Sequence, residues 1–178
     1  MDLDKYLENI IYEFKSLKSQ AEKAMEQLDD NQFFYVMDNE ANSIALIVKH
    51  MAGNMVSRWT DFLTTDGEKP TRHRDTEFEV YKTDDRTLLM ERWENGWKIC
   101  LDSVKSLVAD DLEKVITIRS QPFKVYAAIN RQLTHFGVHV GQIILLAKHY
   151  QGENWKTLSV PKGQSEQHLK DMQKKWKK

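Results

Sequence analysis

The sequence predicts an all-α fold, a four-helix bundle with a long crossover between its second and third helices, and three observations support this. Four long segments carry apolar residues at helical spacing; no stretch offers the strands of a parallel sheet; and an 18-residue segment, 66–83, without periodicity separates the second helix from the third. At 178 residues the chain makes one domain, 1–178, large enough to bury a core without staples. Hydrophobic residues at 40% and charged residues at 30% match a folded globular protein and exclude a disordered one.

The first 28 residues place Leu3, Tyr6, Leu7, Ile10, Phe14, Leu17, Ala21, Ala24 and Leu28 on one stripe, with Asp2 or Asp4 as N-cap. Asp29-Asp30-Asn31 ends that helix. The second runs from near Asn42 to about Leu63 through Ile44, Ile47, Val48, Met51, Met55 and Phe62. A third begins near Asp84 or Asp85 and turns Leu89, Trp93, Trp97, Cys100, Val104 and Leu107 inward. A fourth starts after Pro122 and reaches Tyr150, with Ile129, Leu133, Phe136, Val140, Ile143 and Ala147 inward. Ser165 caps a short C-terminal helix through Met172. Between the third and fourth, β-branched Val115-Ile116-Thr117-Ile118 followed by Val125 admits a small hairpin near 115–125. About a dozen residues join the first two helices, which makes them antiparallel neighbours, whereas 66–83 is long enough to travel the bundle and set helices two and three parallel.

Charge and cysteine usage exclude several classes. A net charge of −1 gives no basic field for nucleic acid, and Lys170, Lys174, Lys175, Lys177 and Lys178 read as a solvated helix end. Cys100, the single cysteine, precludes an intramolecular disulfide and fits a reducing, cytoplasmic setting. The Met-Asp-Leu-Asp-Lys start is too charged for a signal peptide, and the longest apolar runs, Ile44 to Val48 and Ile143 to Ala147, are too short for a membrane span.

The chemistry lies in the histidines. His135 and His139 stand four apart in a strongly helical stretch, so they share a face and can reach one metal ion. On a helical wheel both sit at the edge of the apolar stripe, with Arg131, Gln142 and His149 on the same edge within about 40°. A third ligand must come from another helix, and His50 is the only other histidine inside a strongly apolar one. Asn54, one turn on, is placed to orient His50. Three neutral imidazoles leave a coordination position open and suit zinc, nickel, iron or copper. Three hydrogen-bonded core histidines without metal account for the same spacing. His73 and His168 read as surface residues, and His149 as a helix-end residue beside the pocket rather than a fourth ligand.

His50 with Asn54, then His135-x-x-x-His139-x-x-Gln142-Ile143, resembles the DinB/YfiT-like superfamily, over nearly the whole bundle. Ser57-Arg58-Trp59-Thr60-Asp61-Phe62-Leu63 leading into Asp66-Gly67-Glu68-Lys69-Pro70, and Trp155-Lys156-Thr157-Leu158-Ser159-Val160-Pro161-Lys162-Gly163, resemble an uncharacterised bacterial family within it. The resemblance implies a crossover four-helix bundle, three histidine ligands for one divalent transition metal, and frequent homodimers. Some members of the superfamily are thiol-dependent transferases or isomerases, and one is a metal-dependent hydrolase.

Two functions compete. The first is a metal enzyme that activates a low-molecular-weight thiol or water toward a small-molecule substrate. Arg131 is placed to hold an anionic substrate, as are Arg72 or Arg74 if 66–83 covers the opening; ion pairs of those two with Glu68, Asp75 or Glu77 are the simpler reading. The second is a non-catalytic metal-binding or interaction bundle. Cys100, on an apolar stripe, reads as inert. Gly137 and Gly141 share a face turned roughly 200–240° from His135. They serve close packing within the bundle, relief of crowding beside the histidines, or a twofold contact between two chains.

Overall fold

The computed structural model describes residues 3–177. Four long helices dominate: α1 (Leu3–Met25), α3 (Ile44–Trp59), α4 (Arg86–Lys105) and α5 (Val125–Gln151), with short helices α2 (Asp30–Phe34) and α6 (Ser165–Trp176). An antiparallel pair, β1 (Val115–Ile118) and β2 (Gln121–Lys124), precedes α5 and pairs Ile116 with Phe123 and Ile118 with Gln121. The fold is thus mostly helical with one small hairpin. Among the described residues no helix is long and apolar enough to cross a membrane.

Local chemistry sets the boundaries and corrects several expected ones. Of the two N-caps expected for α1, Asp2 lies outside the described residues and Asp4 already falls inside the first turn. Asp29 does not merely end α1, which stops at Met25. Its carboxylate accepts from Gln32 N while Gln32 Oε1 accepts from Asp29 N, a capping box that starts the unexpected α2. α3 is shorter than Asn42–Leu63: Ser43 caps it by accepting from Leu46 N, and beyond Trp59 the chain turns through Asp61 at φ 48°. Asp85 caps α4 through Leu88 N. Ser165 is the first residue of α6 rather than its cap, and the helix continues past Met172 to Trp176 with no residue buried.

Contacts along the helices give their directions. Lys49 of α3 meets Asp84 just before α4, Ala52 and Met55 lie against Gly96, and Ser103 Oγ donates to Trp59 O. Positions therefore advance together, and α3 and α4 are parallel. α1 and α5 are parallel by the same test, with Tyr6 on Asn130 and Phe14 against Phe136. α3 runs antiparallel to α5, since His50 faces His139 and Asn54 faces Gln132. Phe14, Trp97 and Phe136 form an edge-packed aromatic centre with ring centroids 4.6–6.4 Å apart.

The parallel α3–α4 pair forces the chain back along the molecule, and 60–85 makes that return. It is not structureless: a 3-10 turn spans Arg74–Phe78. Ser57 Oγ donates to Gly67 O and accepts from Lys69 N, and Gly67 N donates to Thr117 O of β1. Buried Lys49 fastens the far end through Glu79 O and the Asp84 carboxylate. Asp66 ties this segment to the hairpin. The two-residue turn Arg119-Ser120 needs positive φ at both positions (54° and 62°), unfavourable for side chains with a Cβ. The Asp66 carboxylate accepts both turn amides as well as Glu68 N, which holds the strained turn in place.

Candidate metal centre and adjoining cavity

His50 sits midway along α3, while His135 and His139 lie one turn apart on the facing side of antiparallel α5. The three imidazoles each offer a nitrogen within 4.8 Å of the others, close enough to hold one metal ion. His50 Nε2 and His135 Nε2 are 3.3 Å apart. Two nitrogens about 2.05 Å from a tetrahedral ion are separated by roughly 3.3 Å, so this spacing fits.

The outer ring nitrogens fix which atoms face the centre. His50 Nδ1 donates to Glu77 Oε2 at 2.9 Å; an ionised carboxylate only accepts, so in the neutral imidazole the proton is on Nδ1 and Nε2 keeps its lone pair. His139 Nδ1 pairs with Gln142 Oε1 at 2.8 Å, with the same result. His135 Nδ1 lies 3.4 Å from Gln132 Nε2, which donates to Asn54 Oδ1. Burial pushes His135 down to about 3, helped by neighbouring His139 and His50 and by Arg58 and Arg72, and burial likewise lowers His139. Both are therefore neutral near pH 7, the state that ligates metal.

Glu77 anchors this arrangement. Arg72 grips its carboxylate with two bonds of 2.8 Å, from Nε to Oε1 and from Nη2 to Oε2. Burial alone would raise Glu77, but the hydrogen bonds from His50 and Arg72 outweigh it and hold the carboxyl below its usual range. The segment 66–83 thus supplies the group that orients His50, and Phe78 lies over the same imidazole with ring centroids 4.9 Å apart.

A cavity of about 180 Å³ opens beside the imidazoles, with His50 and His135 in its wall and Arg58, Arg74, Arg119 and Arg131 around it. A second, larger cavity of about 740 Å³ reaches Arg72 and Glu77 but includes none of the three histidines.

The other expected positions distribute as follows. Gln142 contacts His139, and Arg131 lines the smaller cavity. Asn54 also lines it but bonds Gln132 and so serves the His135 side; the role of orienting His50 belongs to Glu77. His149 is exposed, packs on the Tyr150 ring and is absent from both cavity walls. Arg72 makes the loop-fastening ion pairs with Glu77 and Glu68, whereas Arg74 lies over the Phe78 ring at the cavity. His73 and His168 are exposed. Cys100 is wholly buried, and burial pushes its thiol well up, so it offers no nucleophile. Sequence reasoning missed Gln132 and Arg58 as site residues and read Glu77 only as an ion-pair partner of Arg72 or Arg74. Gln132 left a signal, a polar residue facing the core side of α5; the bond of Glu77 to His50, from an aperiodic segment, left none.

A comparison with curated proteins finds no match. The family model described as a protein of unknown function (DUF1572) matches residues 2–164, which span every element except α6. The chain belongs to the DUF1572 family.

Proposed function

We propose that this protein is a DinB-like four-helix bundle holding one divalent transition metal on His50, His135 and His139, and that it is a metal-dependent enzyme acting on a small molecule. The observation that carries this reading is the convergence of three imidazole nitrogens within 4.8 Å, with His50 and His139 each held by an acceptor on Nδ1. The parallel α3–α4 pair and the long return between them support the bundle. Zinc or nickel suits three neutral imidazoles, with iron as a further candidate.

Bound there, the ion would lower the pKa of a coordinated water or low-molecular-weight thiol and so supply a nucleophile near neutral pH. The chain's own contribution is orientation and access. Glu77 and Gln142 fix two imidazoles, and Gln132 with Asn54 adjusts the third; turning both amides over presents an oxygen to His135 Nδ1–H. Phe78 shields one side of His50, and the arginine-lined cavity gives substrate a way in. The thiol reading follows from the superfamily resemblance, as does a homodimer. Among the described residues a Cβ added at Gly137 or Gly141 would meet nothing within 4 Å, so no neighbouring element packs on these glycines and that face of α5 is open to a second copy.

Elemental analysis tests the centre. Wild type should carry close to one divalent ion per chain, and His50→Ala, His135→Ala and His139→Ala should each lower occupancy strongly, while His73→Ala and His168→Ala should not. Full occupancy in His50→Ala would remove the third ligand from the assignment.

A further inference from the structure

The smaller cavity carries more positive charge than its surroundings neutralise. Five arginines line it: Arg58, Arg72, Arg74, Arg119 and Arg131. The two carboxylates that reach them are Glu77, gripped by Arg72, and Glu68, which lies 2.9 Å from Arg119 Nε and 3.4–3.5 Å from Arg72 and Arg58. Even with the Asp66 carboxylate, which accepts from the Arg119 backbone amide, the arginines outnumber the carboxylates beside them and the wall is net positive.

The excess is not explained by structural duty. Arg72 fastens the return segment and Arg119 sits at the hairpin turn on Glu68. Arg74 and Arg131 lie over aromatic faces, those of Phe78 and Phe123, and pair with no carboxylate among the described residues. Arg58 is the telling case. Its side chain is 9% exposed, yet among the described residues its buried Nη1 finds no hydrogen-bond partner, Glu68 Oε2 at 3.5 Å being its charged neighbour. Burial draws its guanidinium down to about 10, the mark of a cation held away from water with too little compensation. A buried cation with too little pairing is costly, and an anion seated beside it lowers that cost.

We infer that this cavity binds a small organic oxyanion, a carboxylate or phosphate ester of charge −2 or greater, seated on Arg58 and Arg131 with its remainder toward His50 and His135. The volume, about 180 Å³, is below that of pockets for drug-sized ligands, which limits the occupant to a small metabolite-sized molecule. Guanidinium forks match both oxyanions in two-point hydrogen bonding, and Arg74 at the exposed rim gives a third cation. What the anion undergoes rests on the proposed metal; that it binds rests on the arginines alone.

Isothermal titration calorimetry with inorganic phosphate and with succinate, on protein as purified and after chelator treatment, separates the two. At least one probe should bind chelator-treated wild type with Kd below about 1 mM. Arg58→Gln and Arg131→Gln should each weaken it about tenfold or more, and exposed Lys148→Gln should not change it. If Arg58→Gln fails to fold, Arg131→Gln and Arg74→Gln, both at exposed positions, carry the test. The relative affinities of the two probes identify the oxyanion. No binding of either probe to chelator-treated protein, or affinity unchanged in the arginine variants, overturns the inference. Binding seen only with metal present also overturns it, while leaving the metal centre standing.

Discussion

Gly53→Ala should weaken metal binding without touching a ligand. Gly53 lies on α3 one turn from His50, and an added Cβ would sit 2.9 Å from Glu77 Cδ and closer still to Oε1. Carbon atoms in contact prefer about 3.5–4.0 Å, so the carboxyl group must retreat by roughly 0.6–1 Å. It cannot do so freely. Two Arg72 bonds of 2.8 Å and the His50 bond of 2.9 Å hold it, and a shift of that size takes at least one beyond hydrogen-bonding range. Loss of such an orienting partner costs about 10–100-fold in metal affinity, or roughly 1.4–2.7 kcal/mol. Alanine gains about 1 kcal/mol in helix propensity over glycine, which offsets strain and keeps the variant folded. The assay is a chelator-competition titration of metal Kd, beside thermal unfolding of the metal-free proteins. Gly96→Ala is the control: its Cβ would meet Met55 Cε at 3.0 Å and the Ala52 backbone at 3.2 Å, a close α3–α4 contact away from Glu77. It should lower Tm and leave Kd unchanged. A Gly53→Ala Kd within about twofold of wild type would refute the claim that Glu77 sets His50.

Two further outcomes are expected. Asp66 is held well below the usual carboxylate range, chiefly by the backbone amide of Glu68 and also by those of Ser120 and Arg119. A depressed folded pKa adds stability that is present above the unfolded value near 3.8 and is lost as pH falls below it. Asp66→Asn should therefore be less stable than wild type at pH 7, with the gap closing on acidification below about pH 4, as urea unfolding at several pH values will show. Sedimentation of wild type at high micromolar concentration should reveal a dimer, weakened in Gly137→Leu and Gly141→Leu; a wild-type monomer, or a mutant dimer of unchanged strength, removes the α5 face as the interface.

Helical spacing alone located the four long helices, because each must bury a stripe and the period of 3.6 leaves its mark residue by residue. The same period put His135 and His139 on one face, and the apolar company of His50 singled it out. The hairpin was half legible: β-branched Val115–Ile118 pointed to a strand, but Arg119-Ser120 hides a turn that normally asks for Asn-Gly. That turn is held by Asp66, more than fifty residues away in sequence, so no local pattern records it. The site roles of Glu77 and Arg58 were invisible for the same reason. Glu77 reaches His50 because the 60–85 return lies against α3, and Arg58 acquires meaning only when the hairpin and α5 close a cavity around it. Periodicity reports what a residue does for its own helix. The carboxylate that orients a ligand, and the charge left unpaired in a cavity, depend on groups brought together from distant parts of the chain, which only tertiary packing decides.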